Sequence, residues 1–329
     1  MIANIQRLIT LGLLSSALAW ALYFWQRGEV VWAWVGALML VFGYTIFLAL
    51  EFALLAFRQD SSSRVPRASR AQLIRAWWGE ILTAPLVFCW RQPFRASAVP
   101  NHLPVHAAGR RGVVLVHGFF CNRALWNPWM VKLRASDTPF VAVSLEPPFG
   151  SIDTYTNAID DAVTQIKSVT GLAPIIVAHS MGGLAVRAWL AKTVDDASVH
   201  HVITIGTPHH GTWLARFGQT RNARQMRIQS PWLLRLAAIE PPSSYTKFTC
   251  FFSHCDNIVF PASTATLTGA ANRHVPGAAH VQLAFHGEIF TEMQHRLGQS
   301  TESPQHAELA DAPPALKSNR FLESTKRPG

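Results

Sequence analysis

Charge is scarce in this sequence. Only 15% of its 329 residues are charged, against 49% that are hydrophobic. An ordinary soluble domain carries about 25% charged residues, so the shortage points to membrane segments. Cysteine is sparse as well: Cys89, Cys121, Cys250 and Cys255 are the four, and no His/Cys spacing suits zinc. There is no Gly-rich phosphate loop and no nicotinamide fingerprint, so no cofactor is implied and no metal ligand set is assigned. The formal charge of +10 comes with neither zinc-finger spacing nor an RNA-binding aromatic signature. A nucleic-acid partner is therefore not expected. No internal repeat is present.

The apolar excess sits at the front. Leu8 to Trp25 is a run of 18 residues without a charge, and Val30 to Phe57 is 28 residues with one, Glu51. Each can cross a hydrocarbon core of about 30 Å at 1.5 Å per residue. Only Gln26-Arg27-Gly28-Glu29 separates them, so residues 1–57 read as a transmembrane helical hairpin. Arg7, the apolar stretch and Ala17-Leu18-Ala19 also resemble a signal peptide, but the run continues past that cleavage site and a second span follows. Arg58, Arg64, Arg67, Arg70 and Arg75 follow the second span against a lone Asp60. By the positive-inside rule, everything after Phe57 is expected in the cytoplasm. Residues 1–110 hold ten Arg and four acids, which makes anionic lipid head groups the expected partner. Glu51 is expected to snorkel to the interface or to pair with an Arg beyond Phe57. In the cytoplasm the four cysteines are expected to be free thiols.

Residues 58–110 read as a basic connector. Within it, Leu73, Ile74, Trp77, Trp78, Ile81 and Leu82 recur at helical spacing between Ala71 and Trp90, with Arg and Glu opposite. This helix either packs on the catalytic domain or lies in the membrane interface. From residue 112 strands and helices alternate. Strands are expected at 112–116, 140–143, 174–178, 201–205, 248–252 and 273–275, and helices at 152–169, 184–190 and 281–296. Strands without polar alternation, interleaved with helices, imply an α/β fold with a mostly parallel sheet covered on both faces. Residues 211–246 break the alternation and read as a cap-like segment or as ordinary core packing. Residues 299–329 are rich in Ser, Glu, Pro, Ala and Lys and read as a disordered tail.

The chemistry is carried by Ala178-His179-Ser180-Met181-Gly182-Gly183, directly behind the apolar run Pro174 to Val177. A buried strand entering a small-x-Ser-x-Gly turn lifts a serine hydroxyl to the top of a sheet. A serine needs a base to take its proton, an acid to orient that base, and donors for the oxyanion. Four further segments follow the same order: Val116-His117-Gly118-Phe119-Phe120, Gly206 to Thr212, Asp256-Asn257-Ile258-Val259 and Gly277-Ala278-Ala279-His280.

On these five segments, residues 111–298 resemble a compact bacterial lipase or esterase of the α/β-hydrolase fold, near the PGAP1-like deacylase group. The resemblance implies Ser180 as nucleophile, His280 as base and Asp256 as the acid. It implies the backbone N–H groups of Phe119 and Met181 as the oxyanion hole. His117 and His209 are expected to fix loops. Asp160, Asp161, Asp195 and Asp196 fall on helices or their ends, where solvated roles are expected. Ala178 stands where glycine is common and is small enough for the turn. The expected function is a membrane-anchored carboxylic ester hydrolase for a hydrophobic acyl ester, at the cytoplasmic face of a bacterial inner membrane. Acyl transfer by the same triad, or a scaffold with an inert hydrolase-like domain, are the other readings.

Overall fold

In the computed structural model, which describes residues 1–59, 65–193 and 196–299, the N-terminal quarter is helical. Helix α1 spans Ile2–Gln26, α2 Val30–Phe42 and α3 Tyr44–Phe57. By length and composition α1 can cross a membrane. The second expected span is divided at Gly43, and α2 and α3 meet at a bend of 49°. Glycine at the junction lowers the cost of such a bend. Helix α4 (Arg70–Pro85) starts at a capping box between Ser69 and Gln72. It passes through a π-helical segment, Leu86–Arg91, into the short α5 (Gln92–Phe94). Pro85 has no N–H for the carbonyl of Ile81. The Tyr44 hydroxyl donates to that carbonyl instead, at 3.0 Å.

The apolar residues of α4 serve two surfaces rather than one face. Ile81 is buried and Leu73 and Trp77 are partly buried, while Ile74, Trp78 and Leu82 are exposed. The exposed stripe continues at four-residue spacing through Leu86, Trp90 and Phe94. The Glu of this stretch, Glu80, is buried rather than solvated.

The remainder alternates as the patterning requires. Strand β1 is Val113–Val116, followed by α6 (Asn127–Ala135), β2 (Phe140–Ala142), α7 (Thr156–Thr170), β3 (Ile175–His179) and α8 (Met181–Leu190). Then come β4 (His201–Ile205), α9 (Arg221–Gln225), α10 (Pro231–Ile239), β5 (Phe248–Phe252), β6 (Ala271–His274), α11 (His280–Leu283) and α12 (Gly287–Gly298). The sheet order is β2-β1-β3-β4-β5-β6, and every neighbouring pair is parallel. Successive side chains point to opposite faces of a strand. Val114, Val116, Ile176 and Val202 accordingly pack with α7 and α8 on one face. Val113, Leu115, Ile175 and Ile203 pack with α6 and α12 on the other. Burying each such side chain contributes about 1.5–3 kcal/mol.

Three elements depart from the sequence pattern. Helix α6 is short and was not expected. Helix α8 begins at Met181 rather than Leu184. The closing helix is split into α11 and α12; Trp129 Nε1 donates to the Ala284 carbonyl at 2.9 Å, drawing that acceptor out of the helical ladder. Segment 211–246 is made of short helices, with Trp232, Leu233 and Leu236 packed into the core beneath it. All four cysteines are free thiols. Met1–Leu297 form one compact unit, and the expected disordered tail lies, past Gln299, outside the described residues. Asp60, Ser61 to Ser63, Arg64 and Asp195 also lie outside them.

Candidate active site

Ser180 sits between β3 and α8 with φ 56° and ψ −131°. A non-glycine residue at positive φ is strained and persists only where the surroundings enforce it. Here the Ser180 N–H donates to the Ile205 carbonyl at 2.8 Å, and the Thr207 hydroxyl donates to the Ser180 carbonyl at 2.9 Å. A side chain at Gly182 would place its Cβ 2.5 Å from the His117 carbonyl oxygen, which explains the glycine after the serine. Ala178 is wholly buried within β3, where one methyl fits.

Asp256 and His280 are brought together. His280 Nδ1 lies 2.9 Å from Asp256 Oδ2. The other carboxylate oxygen, Oδ1, accepts from the backbone N–H groups of Ile258 at 2.9 Å and Val259 at 2.7 Å. With both oxygens held, the carboxylate cannot rotate away, and the imidazole Nδ1–H is fixed toward it. That leaves Nε2 for proton exchange. Burial works against a charged His280, but the Asp256 carboxylate, with Glu80 and Glu51 behind it, outweighs burial and raises the imidazole above its ordinary value. Gly206 permits the approach: a Cβ there would lie 2.9 Å from Asp256 Oδ2 and 3.2 Å from His280 Nδ1. Among the described residues, the Ser180 hydroxyl has no hydrogen-bond partner.

The loop after β1 lies against the serine. A Cβ on Gly118 would stand 3.2 Å from Ser180 Oγ. No hydrogen bond from the Phe119 or Met181 backbone N–H forms among the described residues. Phe119 follows Gly118 on that loop, and Met181 opens α8, where the first N–H groups have no partner within the helix.

Three further histidines, His117, His209 and His179, are buried around the site. His117 Nε2 accepts from the Leu145 N–H at 2.9 Å, so its Nδ1 donates to the Gly118 carbonyl. Burial pushes it down to about 4, keeping it neutral. His209 is buried, held well below its ordinary value by burial, and bonded to the Thr204 hydroxyl at 3.0 Å. His179 packs its ring 4.6 Å from that of His280.

Two carboxylates depart from expectation. Glu51 neither snorkels nor pairs with arginine; it is buried and accepts from Asn257 Nδ2 at 2.7 Å. Glu80 accepts from the backbone N–H groups of Val281 at 3.0 Å and Gln282 at 3.2 Å. Asn257, Gly206 and Thr207 fall within the motif segments named above, where none of the three was given a role of its own. A lone acid inside an apolar run was the available signal for Glu51, and isolation among Ile81 and Leu82 was the signal for Glu80. A cleft lined by Leu190, Val199, Glu240 and Phe248 lies by the N-terminal ends of β4 and β5, away from the strand end that carries Ser180, and includes none of Ser180, Asp256 and His280.

A parallel sheet flanked by helices, with a strained serine at the end of its third strand, defines an α/β-hydrolase architecture. The chain belongs to the alpha/beta hydrolase family, whose pattern matches residues 113–320. No curated protein matches it as a relative. Among solved structures, the mature lipase BlEst2 of Bacillus licheniformis superposes with a TM-score of 0.52 at 17% identity, covering 59% of this chain and 95% of that one. The propeptide form of the same lipase gives 0.50 at 18% identity, over 61% of this chain and 53% of that one. Aspergillus fumigatus lipase B gives 0.49 at 18% identity, over 59% and 55%. At these identities the likeness is one of fold.

Proposed function

We propose that this chain is a membrane-anchored serine hydrolase of carboxylic esters. Ser180 Oγ attacks the ester carbonyl as His280 Nε2 takes its proton. Asp256 stabilises the imidazolium, and the N–H groups of Phe119 and Met181 receive the oxyanion. His280 returns the proton to the leaving alcohol, giving an acyl-enzyme. Water, deprotonated by His280, then releases the acid and restores Ser180. The observation that carries this reading is a pre-formed Asp256–His280 pair packed against Gly206, next in sequence to Ile205, whose carbonyl holds the strained Ser180 turn.

A hydrophobic acyl substrate is favoured by the surroundings of the oxyanion loop. Phe119, Phe120 and Phe149 contact one another, with ring centroids 5.9–6.5 Å apart, and Phe88 lies 6.5 Å from Phe120. We assign residues 1–57 to a membrane hairpin, 58–110 to a basic connector, 111–298 to the hydrolase domain and 211–246 to its cap. The exposed stripe Ile74, Trp78, Leu82, Leu86, Trp90 and Phe94 suits a helix lying in the bilayer interface, on the anionic cytoplasmic leaflet of the inner membrane.

The test is a series of p-nitrophenyl esters of rising acyl length, assayed with the full chain in vesicles. Turnover that favours longer acyl chains supports the reading. Absence of turnover at every length, in folded protein, overturns it. Protease protection of a tag after Phe57 in inside-out against right-side-out vesicles tests the orientation; digestion only in right-side-out vesicles contradicts it.

A further inference from the structure

The N-terminal helices carry few buried polar side chains. Among the described residues of 1–94 these are Gln6, Thr10, Glu51, Glu80 and Gln92. Burying such groups in apolar helices is unfavourable unless they are hydrogen-bonded. Four of the five reach a loop of the candidate site. Gln6 Nε2, on α1, donates to the carbonyl of Phe120 at 2.8 Å. Gln92, on α5, accepts from the Asn122 N–H through its side-chain oxygen at 2.7 Å and from Asn122 Nδ2 through its carbonyl at 3.0 Å. These two glutamines also meet each other, at 3.4 Å. Together they hold both residues that bracket Cys121, immediately after Phe119.

The other two hold the base. Glu51, on α3, accepts from Asn257 Nδ2, and Asn257 Oδ1 in turn accepts from the backbone N–H of His280 at 3.2 Å. Glu80, on α4, spans the next two N–H groups, those of Val281 and Gln282. Three consecutive backbone donors, beginning at His280, are thus fixed by groups anchored in the N-terminal helices. Phe52 and Leu55 of α3 and Ala76 of α4 close an apolar cluster with Cys255 and Ala279, which flank Asp256 and His280 in sequence.

We infer that Gln6, Glu51, Glu80 and Gln92 are positioning residues for the oxyanion loop and for His280, so that the N-terminal helices build the site as well as tether it. This rests on the reading of Ser180 as nucleophile and His280 as base. A misplacement of about 1 Å at a reacting group costs on the order of a hundredfold, and every one of these contacts lies one to three residues from such a group.

The full chain in vesicles carries the test, with p-nitrophenyl butyrate and a fluorophosphonate as probes. Glu80→Gln keeps the shape of the side chain but turns an N–H donor toward one of the two backbone N–H groups. It is expected to lower kcat about tenfold or more while KM stays within about twofold. Glu51→Leu is expected to do the same, and Glu51→Gln, which retains an oxygen for Asn257, to restore most of the loss. The groups facing His280 are Asp256, Glu80, Glu51 and His179. Burial raises the Glu80 carboxyl to about 7, and above that value its charge favours protonated His280; removing it is expected to move the acid limb of labelling to lower pH, which a role in stability alone does not do. Unchanged kcat and an unmoved acid limb in folded Glu80→Gln and Glu51→Leu overturn the inference. Titration of the His280 ring by NMR reads the same coupling without turnover. Wild-type protein that neither labels nor hydrolyses removes the hydrolase reading, while a His280 titration unmoved by Glu80→Gln removes this one.

Discussion

His280 Nδ1 and Asp256 Oδ2 lie 2.9 Å apart, with both side chains almost wholly withdrawn from solvent. In the proposed mechanism His280 must be neutral to accept the Ser180 proton, and its affinity for protons is raised above the ordinary histidine value. Activity is therefore expected to fall as pH drops through that raised value, giving an acid limb above 6.5. Stability runs the other way. The charged pair contributes fully below the unfolded-state value, and the contribution is lost as pH rises through the folded-state value. Fluorophosphonate labelling rates and thermal midpoints across pH 5–9 check both signs.

Asp256→Asn is expected to lower kcat by about four orders of magnitude, as loss of the orienting carboxylate does in serine hydrolases generally. The asparagine oxygen can still accept from Ile258 and Val259, so the thermal midpoint should change little. Paired kinetic and calorimetric measurements separate the two effects; a large fall in midpoint would assign Asp256 a structural role instead.

Gly206→Ala is expected to damage both fold and site. The position has φ 54°, and the added methyl meets Asp256 Oδ2 and His280 Nδ1 inside normal contact distance. A cost of about 1–3 kcal/mol is expected from overpacking and strain, with labelling lost more completely than stability. Denaturation midpoints set against labelling rates provide the check.

On α8, Arg187 forms a buried bidentate pair with Glu240, Nε to Oε1 at 2.9 Å and Nη2 to Oε2 at 2.6 Å. Glu240→Ala strands a guanidinium that is 1% exposed. A loss of about 3–5 kcal/mol is expected, measurable by chemical denaturation, with kcat of the remaining folded fraction unchanged.

Much of the hydrolase fold was legible because its strands obey a simple rule. A strand covered on both faces is apolar throughout, and residues 201–205 and 248–252 could be bounded to the residue on that ground. Ser180, Asp256 and His280 stood out in the sequence because the proposed chemistry demands fixed residue types after strands, and the structure pairs Asp256 with His280. Helix α6 was not, since Asn127-Pro128-Trp129 presents no long amphipathic period. The break between α11 and α12 depends on Trp129, which is more than 150 residues away in sequence. Glu51 and Glu80 were misjudged for the same reason. Composition alone assigns an isolated acid to water, while the groups that accept it, Asn257 and the N–H groups of Val281 and Gln282, come from the far end of the chain. The division of the second apolar stretch at Gly43 was likewise invisible to a count of apolar residues.

The most direct measurement is covalent labelling of the full chain in vesicles by a fluorophosphonate, followed by mass mapping of the modified peptide. The account predicts one adduct, on Ser180, formed with loss of fluoride and absent in Ser180→Ala. Equal labelling of Ser180→Ala, or an adduct on another residue in the wild-type protein, would contradict it.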